Sequence, residues 1–556
     1  MGFGSLYISV SGLMAQRTSL KTVSHNISNT ENPNYVRQSA IHKNSRYQDY
    51  GGVYLQVGTG ADIKVIRQTR DEFLDIRYRG ETATYGYHKL KSDVLQEIEG
   101  IFREKSEHSI QGVMETFWEK AAELAKNPEA LTIRGLLHET GVAVADTFNS
   151  VAHQLEMSKR NLNTRIYDHI ERINEIIDRV KEINTMIKGQ EAADPKYSMN
   201  DIRDERNALL DELSELCPID IQGNNVGEAL VYLQGRLIVG SDFVNHIIPT
   251  SDNKGYFHPH FESDKQLVEL GGFGALAGIL DVRDKSIPEY EERLDIYVKH
   301  FAHNVNKIHR FGYGLDNSTG LQFFTCNLGT DDNLITAANI KVNPALANLN
   351  KIAASSQLDK ENKVMVGDGK VIERIVNLRN TIEDKPIIYE KYNDPSVTIT
   401  VRPFYRDYNK LKELKEEFFK PEARLTYNIE TGMHEATDPI NDFKTGKDQA
   451  QYEARYKEIF GDDTELKNGM SIDAFYNDII FRVGVERRES IDIMDAQYKL
   501  MTNLNEKRKE ISGVSLDEEM SEMMRFQHAY SANSRILNAV DEMMDQIVNR
   551  LGLVGR

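Results

Sequence analysis

Apolar side chains recur along this chain in more than one rhythm, and each rhythm predicts a different element. Near the C-terminus Met523, Phe526, Tyr530, Asn533, Leu537, Val540, Met544, Ile547 and Leu551 follow one another at alternating spacings of three and four, with Asn533 the one polar member. At the N-terminus Phe3, Leu6, Val10, Leu13, Arg17, Leu20, Ser24 and Ile27 keep the same alternation. Such spacing draws one stripe along a helix, and the stripe is stable only against another helix. Termini are commonly the least ordered part of a domain. Here they read as built to pair, with Leu6, Leu13, Leu20, Ile27, Phe526, Tyr530, Leu537, Val540, Met544 and Ile547 forming an assembly seam.

Between the ends the pattern is helical first. From about Val94 to Ser150 the period is helical, Phe117 and Trp118 lie to one side, and Asn127-Pro128 breaks the run before a fresh helix. Trp118, the single tryptophan, is expected in the core. Leu155, Leu162, Ile166, Ile170, Ile173, Ile177, Val180 and Ile187 then hold one heptad frame, interrupted at Lys159 and Asn184. A helix over about Asn200 to Leu216 turns back after Pro195, which predicts an antiparallel hairpin.

At Ile219 the period changes to alternation. Ile219 to Ile221, Ala229 to Leu233 and Arg236 to Val239 read as short strands, with turns at Gly223-Asn224-Asn225 and Gln234-Gly235. Ser286, with Pro288 just inside, is expected to open a long helix whose Ile287, Tyr290, Leu294, Tyr297, Phe301, Val305 and Ile308 share a face. Helical stretches over Val371 to Asp384 and Ser471 to Met501 flank a segment of another character. Residues 385–470 carry seven of the 25 tyrosines and five of the 13 prolines, a strand at Val397 to Val401, and a charged helix at about Asp407 to Lys420. This predicts an inserted, outward-facing α+β domain.

Composition narrows the function classes. With 86 acidic and 68 basic residues the net charge is -18, which disfavours nucleic acid or an anionic membrane as partner. No apolar run approaches the roughly 20 residues of a membrane span. Arg17 is the first charged side chain, so the basic start of a secretory signal is missing. The two cysteines, Cys217 and Cys326, read as small buried hydrophobes. His300 and His303 with His309, and His258-Pro259-His260, lack the convergent partners a zinc site needs, and His434-Glu435 lacks the second histidine of a metalloprotease helix. No catalytic, cofactor or metal residue is therefore assigned, and the expectation is a non-enzyme without cofactors.

The residues beside the two stripes carry a resemblance. Ser24-His25-Asn26-Ile27-Ser28-Asn29-Thr30-Glu31-Asn32-Pro33-Asn34-Tyr35-Val36-Arg37-Gln38 is similar to the signature that opens bacterial flagellar rod, hook and hook-associated proteins. Ser515-Leu516-Asp517-Glu518-Glu519-Met520, Phe526 to Asn533, and Val540-Asp541-Glu542-Met543-Met544 are similar to that family's closing helix. The acidic ending, and the order helical hairpin, β-meander, long helix, resemble most the hook-associated FlgK family of hook-filament junction proteins. Asn26, Asn29, Asn34, Tyr35, Asp517, Glu518 and Asn533 carry the motif. Asn34 stands where the family has glycine, and as the residue most tolerant of a left-handed backbone after glycine it is expected to keep that turn. Ser515 and Glu518 are expected to form a capping box.

The resemblance implies a mainly α fold with small β regions (α+β). Its expected parts are a coiled-coil axial core of 1–80 with 512–556, a helical-bundle middle domain of 81–384 with 471–511 and β-hairpins around 218–282, and the insertion 385–470. It also implies export without a cleaved signal peptide to an extracellular place in the flagellum, between hook and filament, where flagellin assembly is permitted. The implied partners are further copies in a helical ring, the hook protein below, a second junction protein and the flagellin filament above, and an export chaperone. The alternatives are another axial hook or rod protein, or an axial scaffold displaying an adhesive or binding module in 385–470.

Overall fold

The computed structural model describes residues 3–45, 47–49, 56–58, 60–103, 109–193, 199–224, 227–329, 331–380, 387–391, 394–401, 404–405, 417–418, 425–428, 433–436, 450–452, 454–455 and 469–546. It is mainly α-helical with small antiparallel sheets, as the periodicities predict. Two compact units share the chain. One holds Met1–Lys91, Asn163–Asp281 and Ser490–Arg556, the other Ser92–Leu162 and Val282–Glu489. These limits fall inside helices and differ from the domain limits expected near residues 80, 384, 471 and 511.

The first unit opens with α1 (Phe3–Ser28), followed by strand β1 (Gln38–Asn44), a small pair β2 (Tyr47–Asp49) and β3 (Gln56–Gly58), and β4 (Ala61–Gln68). β1 and β4 pair antiparallel from Gln38 opposite Gln68 to Asn44 opposite Ala61. Helix α2 (Glu72–Phe102) contributes its first part. The heptad stretch belongs to one helix of 63 residues, α4 (Leu131–Ala193), whose Ile166, Ile170, Ile173, Ile177, Val180 and Ile187 are fully buried in this unit. The return helix α5 (Asn200–Leu216) closes the antiparallel hairpin, pairing Arg172 with Glu212 and Arg179 with Glu205 across it.

The heptad interruption at Asn184 has a use. Its carboxamide donates to the Ala229 carbonyl at 2.8 Å and accepts from the Ala229 N–H at 3.1 Å and from Arg206 at 2.8 Å. It thus supplies hydrogen bonds for the start of a strand while the neighbouring isoleucines supply apolar area. That strand, β6 (Ala229–Leu233), lies between β5 (Asp220–Gly223) and β7 (Arg236–Val239). Ala229, Val231 and Leu233 point inward. The Gln234-Gly235 turn takes φ values of 54° and 73°, the left-handed pair that a two-residue hairpin demands. A hairpin of β8 (Ile247–Ser251) and β9 (Phe257–Phe261) and the short α6 (Ala275–Asp281) complete this part.

The second unit is organised round aromatic rings. It contains α3 (Ile110–Lys126), the first half of α4, α7 (Ile287–Arg310), the strand pair β10 (Phe324–Cys326) and β11 (Ile340–Val342), α8 (Lys370–Asn377) and the start of α9 (Ile472–Ser512). The predicted break at Asn127-Pro128 separates α3 from α4. Phe117 and Trp118 meet Phe301 edge-on at 5.7 and 5.8 Å between centroids, and Trp118 is buried. Ser286 does not open a helix. Residues 282–286 form a π-helical turn, so Ser286 is already helical with φ -67° and ψ -50°. Its hydroxyl donates to Glu486 instead of capping.

Val397 to Val401 lies in β13 (Asp394–Val401), which pairs antiparallel with β12 (Ile387–Lys391). Strands β14 (Phe404–Tyr405) and β17 (Gly469–Met470) pair, as do β15 (Leu425–Asn428) and β16 (Met433–Ala436). Most of the expected charged helix, Asp407 to Lys420, lies outside the described residues. The last helix, α10 (Leu516–Asp545), returns to the first unit.

Candidate functional site

The two ends meet. α1 and α10 lie side by side, with Asn26 against Glu519 and Gly12 against Asn533, so the helices run antiparallel. A Cβ on Gly12 would stand 3.1 Å from the Asn533 carboxamide, which is why a glycine lies opposite the polar member of the stripe. On α10 Met523, Phe526, Ala529, Asn533, Leu537, Val540 and Met544 are half-buried, as are Glu522 and Ser534 beside them. This is the expected stripe with one exchange: Tyr530 is 40% exposed and Ala529 takes the inward place. Ile547 lies outside the described residues.

The seam on α1 is displaced from the one its leucines suggest. The buried side chains are Ser9, Ala15, Ser19, Thr22, Val23 and Asn26, whereas Leu6, Leu13, Leu20 and Ile27 are half-buried beside them. Small residues let two backbones approach closely, and the larger apolar side chains then straddle the contact. Ser19 also holds the His42 imidazole at 3.0 Å, and that ring stacks on Phe526. The β1–β4 hairpin thereby becomes a third layer against the helix pair.

The opening signature folds into a buried polar clasp at the end of this pair. Asn26 uses every hydrogen-bonding position of its carboxamide. Its Nδ2 donates to the Gln38 carbonyl and to Glu519 Oε2, both at 2.9 Å. Its Oδ1 accepts from the Tyr35 hydroxyl at 2.7 Å and from the Gln38 N–H at 3.1 Å. Arg37 Nε donates to the other oxygen of Glu519 at 2.7 Å. The hairpin is tied on to α5: Val36 N–H and Gln68 Nε2 donate to Asp204, Gln38 Nε2 donates to Asp201, and Asn200 Nδ2 donates to Gln38 Oε1.

Burial sets the electrostatics here. It pushes the Asp204 carboxyl up to about 7, against the opposing pull of the Val36 N–H, Arg70 and Gln68. Burial, and then the carboxylates of Asp201, Asp204 and Glu519, raise the Tyr35 phenol. Tyr35 is thus a permanent hydrogen-bond donor at physiological pH.

The other motif residues divide. Asn29 is half-buried and donates to the His25 carbonyl as a cap on the last turn of α1. Asn34 does not take a left-handed backbone. The turn is closed one step earlier, where Asn32 accepts the Asn34 N–H on its side chain and the Tyr35 N–H on its carbonyl, with Pro33 between them. Glycine at 34 is therefore not required. Asp517 and Glu518 are exposed on the first turn of α10. The capping box does not form: Ser515 makes no side-chain cap, and the Glu518 carboxylate accepts from Arg37 at 3.0 Å.

Gln38 and Glu519 lie inside the two signature stretches without being singled out in them, and Asp204 and Asn200 belong to neither. An acid in a first helical turn reads as a complement to the helix dipole, so its charge hides the burial of Glu519, 1% exposed, even though it lies four residues before Met523 in step with the stripe. Of the histidines weighed as metal ligands, His258 and His260 lie in β9 of the first unit, and His303 and His309 serve the second. His303 faces Asp332 at 3.0 Å, and His309 bridges the Leu321 carbonyl and the Ala353 N–H. Cys217 and Cys326 are buried free thiols.

Residues 95–324 match the flagellar hook-associated protein FlgK helical domain, and residues 507–551 match the C-terminal family of flagellar basal body rod FlgEFG proteins. Flagellar hook-associated protein 1 of Bacillus subtilis is 23% identical over 98% of this chain and 97% of its own length. Those of Salmonella typhimurium and Escherichia coli are 21% and 20% identical, each over 97% of this chain and 98% of their own. The flagellar hook junction protein FlgK of Burkholderia pseudomallei, a solved structure, aligns with 79% of this chain and all of its own at 11% identity and a TM-score of 0.49. Along nearly its whole length the chain is thus similar to flagellar hook-associated protein 1 of these bacteria.

Proposed function

We infer that this chain is a structural component of the bacterial flagellum that forms the junction between hook and filament. The observation that carries this reading is the antiparallel α1–α10 pair closed by Asn26, Tyr35, Gln38 and Glu519, together with likeness to hook-associated protein 1 along nearly the whole chain. Apolar side chains remain outward on the pair, with Tyr7, Met14, Met520, Met524, Ile536 and Met543 each more than 40% exposed. Stripes of this kind on a helical layer suit repeated contacts between copies, and contacts that do not close on themselves build a tube.

In this reading Leu6, Leu13, Leu20, Phe526, Leu537, Val540 and Met544 support the assembly layer from within and at its flanks. Copies assemble in a helical ring with hook protein below and a second junction protein and flagellin above, after export with a chaperone and without a cleaved signal peptide. The chain performs no reaction and takes no cofactor. The axial core, helical middle part and outward 385–470 insertion keep the roles expected for them. No helix among the described residues is long and apolar enough to cross a membrane.

The deciding experiment is deletion of the chain followed by electron microscopy of the cell surface. Hooks without filaments, restored by the full-length chain, are the expected result; filaments of normal number would refute the reading.

A further inference from the structure

α9 ends at Ser512 and α10 begins at Leu516, so Gly513, Val514 and Ser515 interrupt what would otherwise be one rod. The break is tight on one side: a Cβ on Gly513 would stand 2.4 Å from the Lys509 carbonyl, whose oxygen accepts the Gly513 N–H. It is open on the other, where a polar cleft of about 640 Å³ runs between Ser512, Gly513 and the loop of Asn32, Asn34 and Tyr35. Ser515 adds no side-chain hydrogen bond. One residue spans the gap. The Arg37 N–H donates to the Ser512 carbonyl at 2.8 Å, its Nε donates to Glu519 at 2.7 Å and its Nη1 to Glu518 at 3.0 Å.

Arg37 therefore holds the last residue of one helix and the first turn of the next from a single position. A three-residue link leaves many inter-helix angles open, and hinges of this kind absorb their motion in a few residues at helix ends. A planar guanidinium gripping two carboxylates restricts both distance and direction, which an ammonium does not.

We propose that Arg37 is a positioning residue that sets the angle between α9 and α10, and that release of Glu518 and Glu519 lets the α1–α10 pair turn about Gly513. The consequence for assembly rests on reading the terminal pair as the axial layer. The angle itself does not.

The test uses the full-length chain with Cys217→Ala and Cys326→Ala, spin-labelled at the exposed positions Asn503→Cys and His528→Cys. The distance between the labels is measured by double electron–electron resonance. The Arg37 background is expected to give one distance. Arg37→Ala is expected to raise the share of a second distance about tenfold, the loss matching the worth of a charged hydrogen bond, while the thermal transition of the helical core stays in place. If Arg37→Ala does not fold, Arg37→Lys decides, since it keeps the charge and the backbone bond and loses the fork. A single unchanged distance in the folded variant overturns the proposal. Because this reads one chain in solution, it can fail while the hook-filament reading stands, and the reverse.

Discussion

Asn26 shows how one residue can decide a joint. Removing its carboxamide orphans the Gln38 backbone and one oxygen of Glu519, at about 1–3 kcal/mol per buried group, and leaves the Tyr35 hydroxyl with His25 Nδ1 at 3.1 Å. Asn26→Ala is expected to lower the midpoint for loss of the terminal pair, followed by limited proteolysis, and to leave the fluorescence of Trp118 unmoved. Asp204 adds a pH dependence of known sign. A carboxyl raised to about 7 in the folded chain binds more protons there than in the unfolded chain, so its contribution is present below about pH 4 and is lost as the pH rises through 7. Arg70 and Asp201 act on it from β4's end and from α5. Asp295, pushed up to about 6 by burial, slopes the same way. Asp204→Asn should flatten the fall in melting temperature between pH 5 and 8, and an unchanged slope would leave Asp295 as the source. The motif made Asn26 and Tyr35 legible in the sequence. Asp204 was not, because a carboxylate on a charged helix shows nothing of the backbone N–H that meets it.

At the scale of elements, the α10 stripe was readable because a heptad repeat reports one buried face directly. The α1 stripe was misread by one helical step. Its buried side chains, Ser9, Ala15, Ser19, Thr22, Val23 and Asn26, are small or polar apart from Val23 and carry little hydrophobic signal, while the leucines that carry the signal are half-buried beside them. Leu537→Asp places a carboxylate on the half-buried side of α10 at a cost of about 1–3 kcal/mol. It is expected to strip filaments from hooks while the secreted protein keeps the thermal transition of its core. Ser515→Ala should change stability by less than about 0.5 kcal/mol, since no cap is lost. A loss near 1 kcal/mol in denaturant titration would restore the capping box.

For the whole molecule, the helical hairpin, the meander and α7 fell where their periods placed them, yet the two compact units divide inside α2, α4 and α9 rather than at loops. Composition marks 385–470 as a module between helices that carry the core on either side. Replacing it with a short Gly-Ser linker is expected to leave secretion and filament attachment nearly unchanged, because insertions succeed where both chain ends leave at a surface. A protein that is exported but attaches no filament would make the segment part of the joint.

What the sequence determined alone was periodicity and identity of elements: 3.5-residue repeats report a continuous buried face, alternation reports a strand, and Gln234-Gly235 reports its turn. These are local quantities, written within a few turns of chain. The tertiary structure decided the rest, because the clasp is made by groups far apart in sequence, Asn26 with Glu519 and Val36 with Asp204. Polar residues like these have no period. Their burial follows from which partner arrives, and only the folded chain brings the partner.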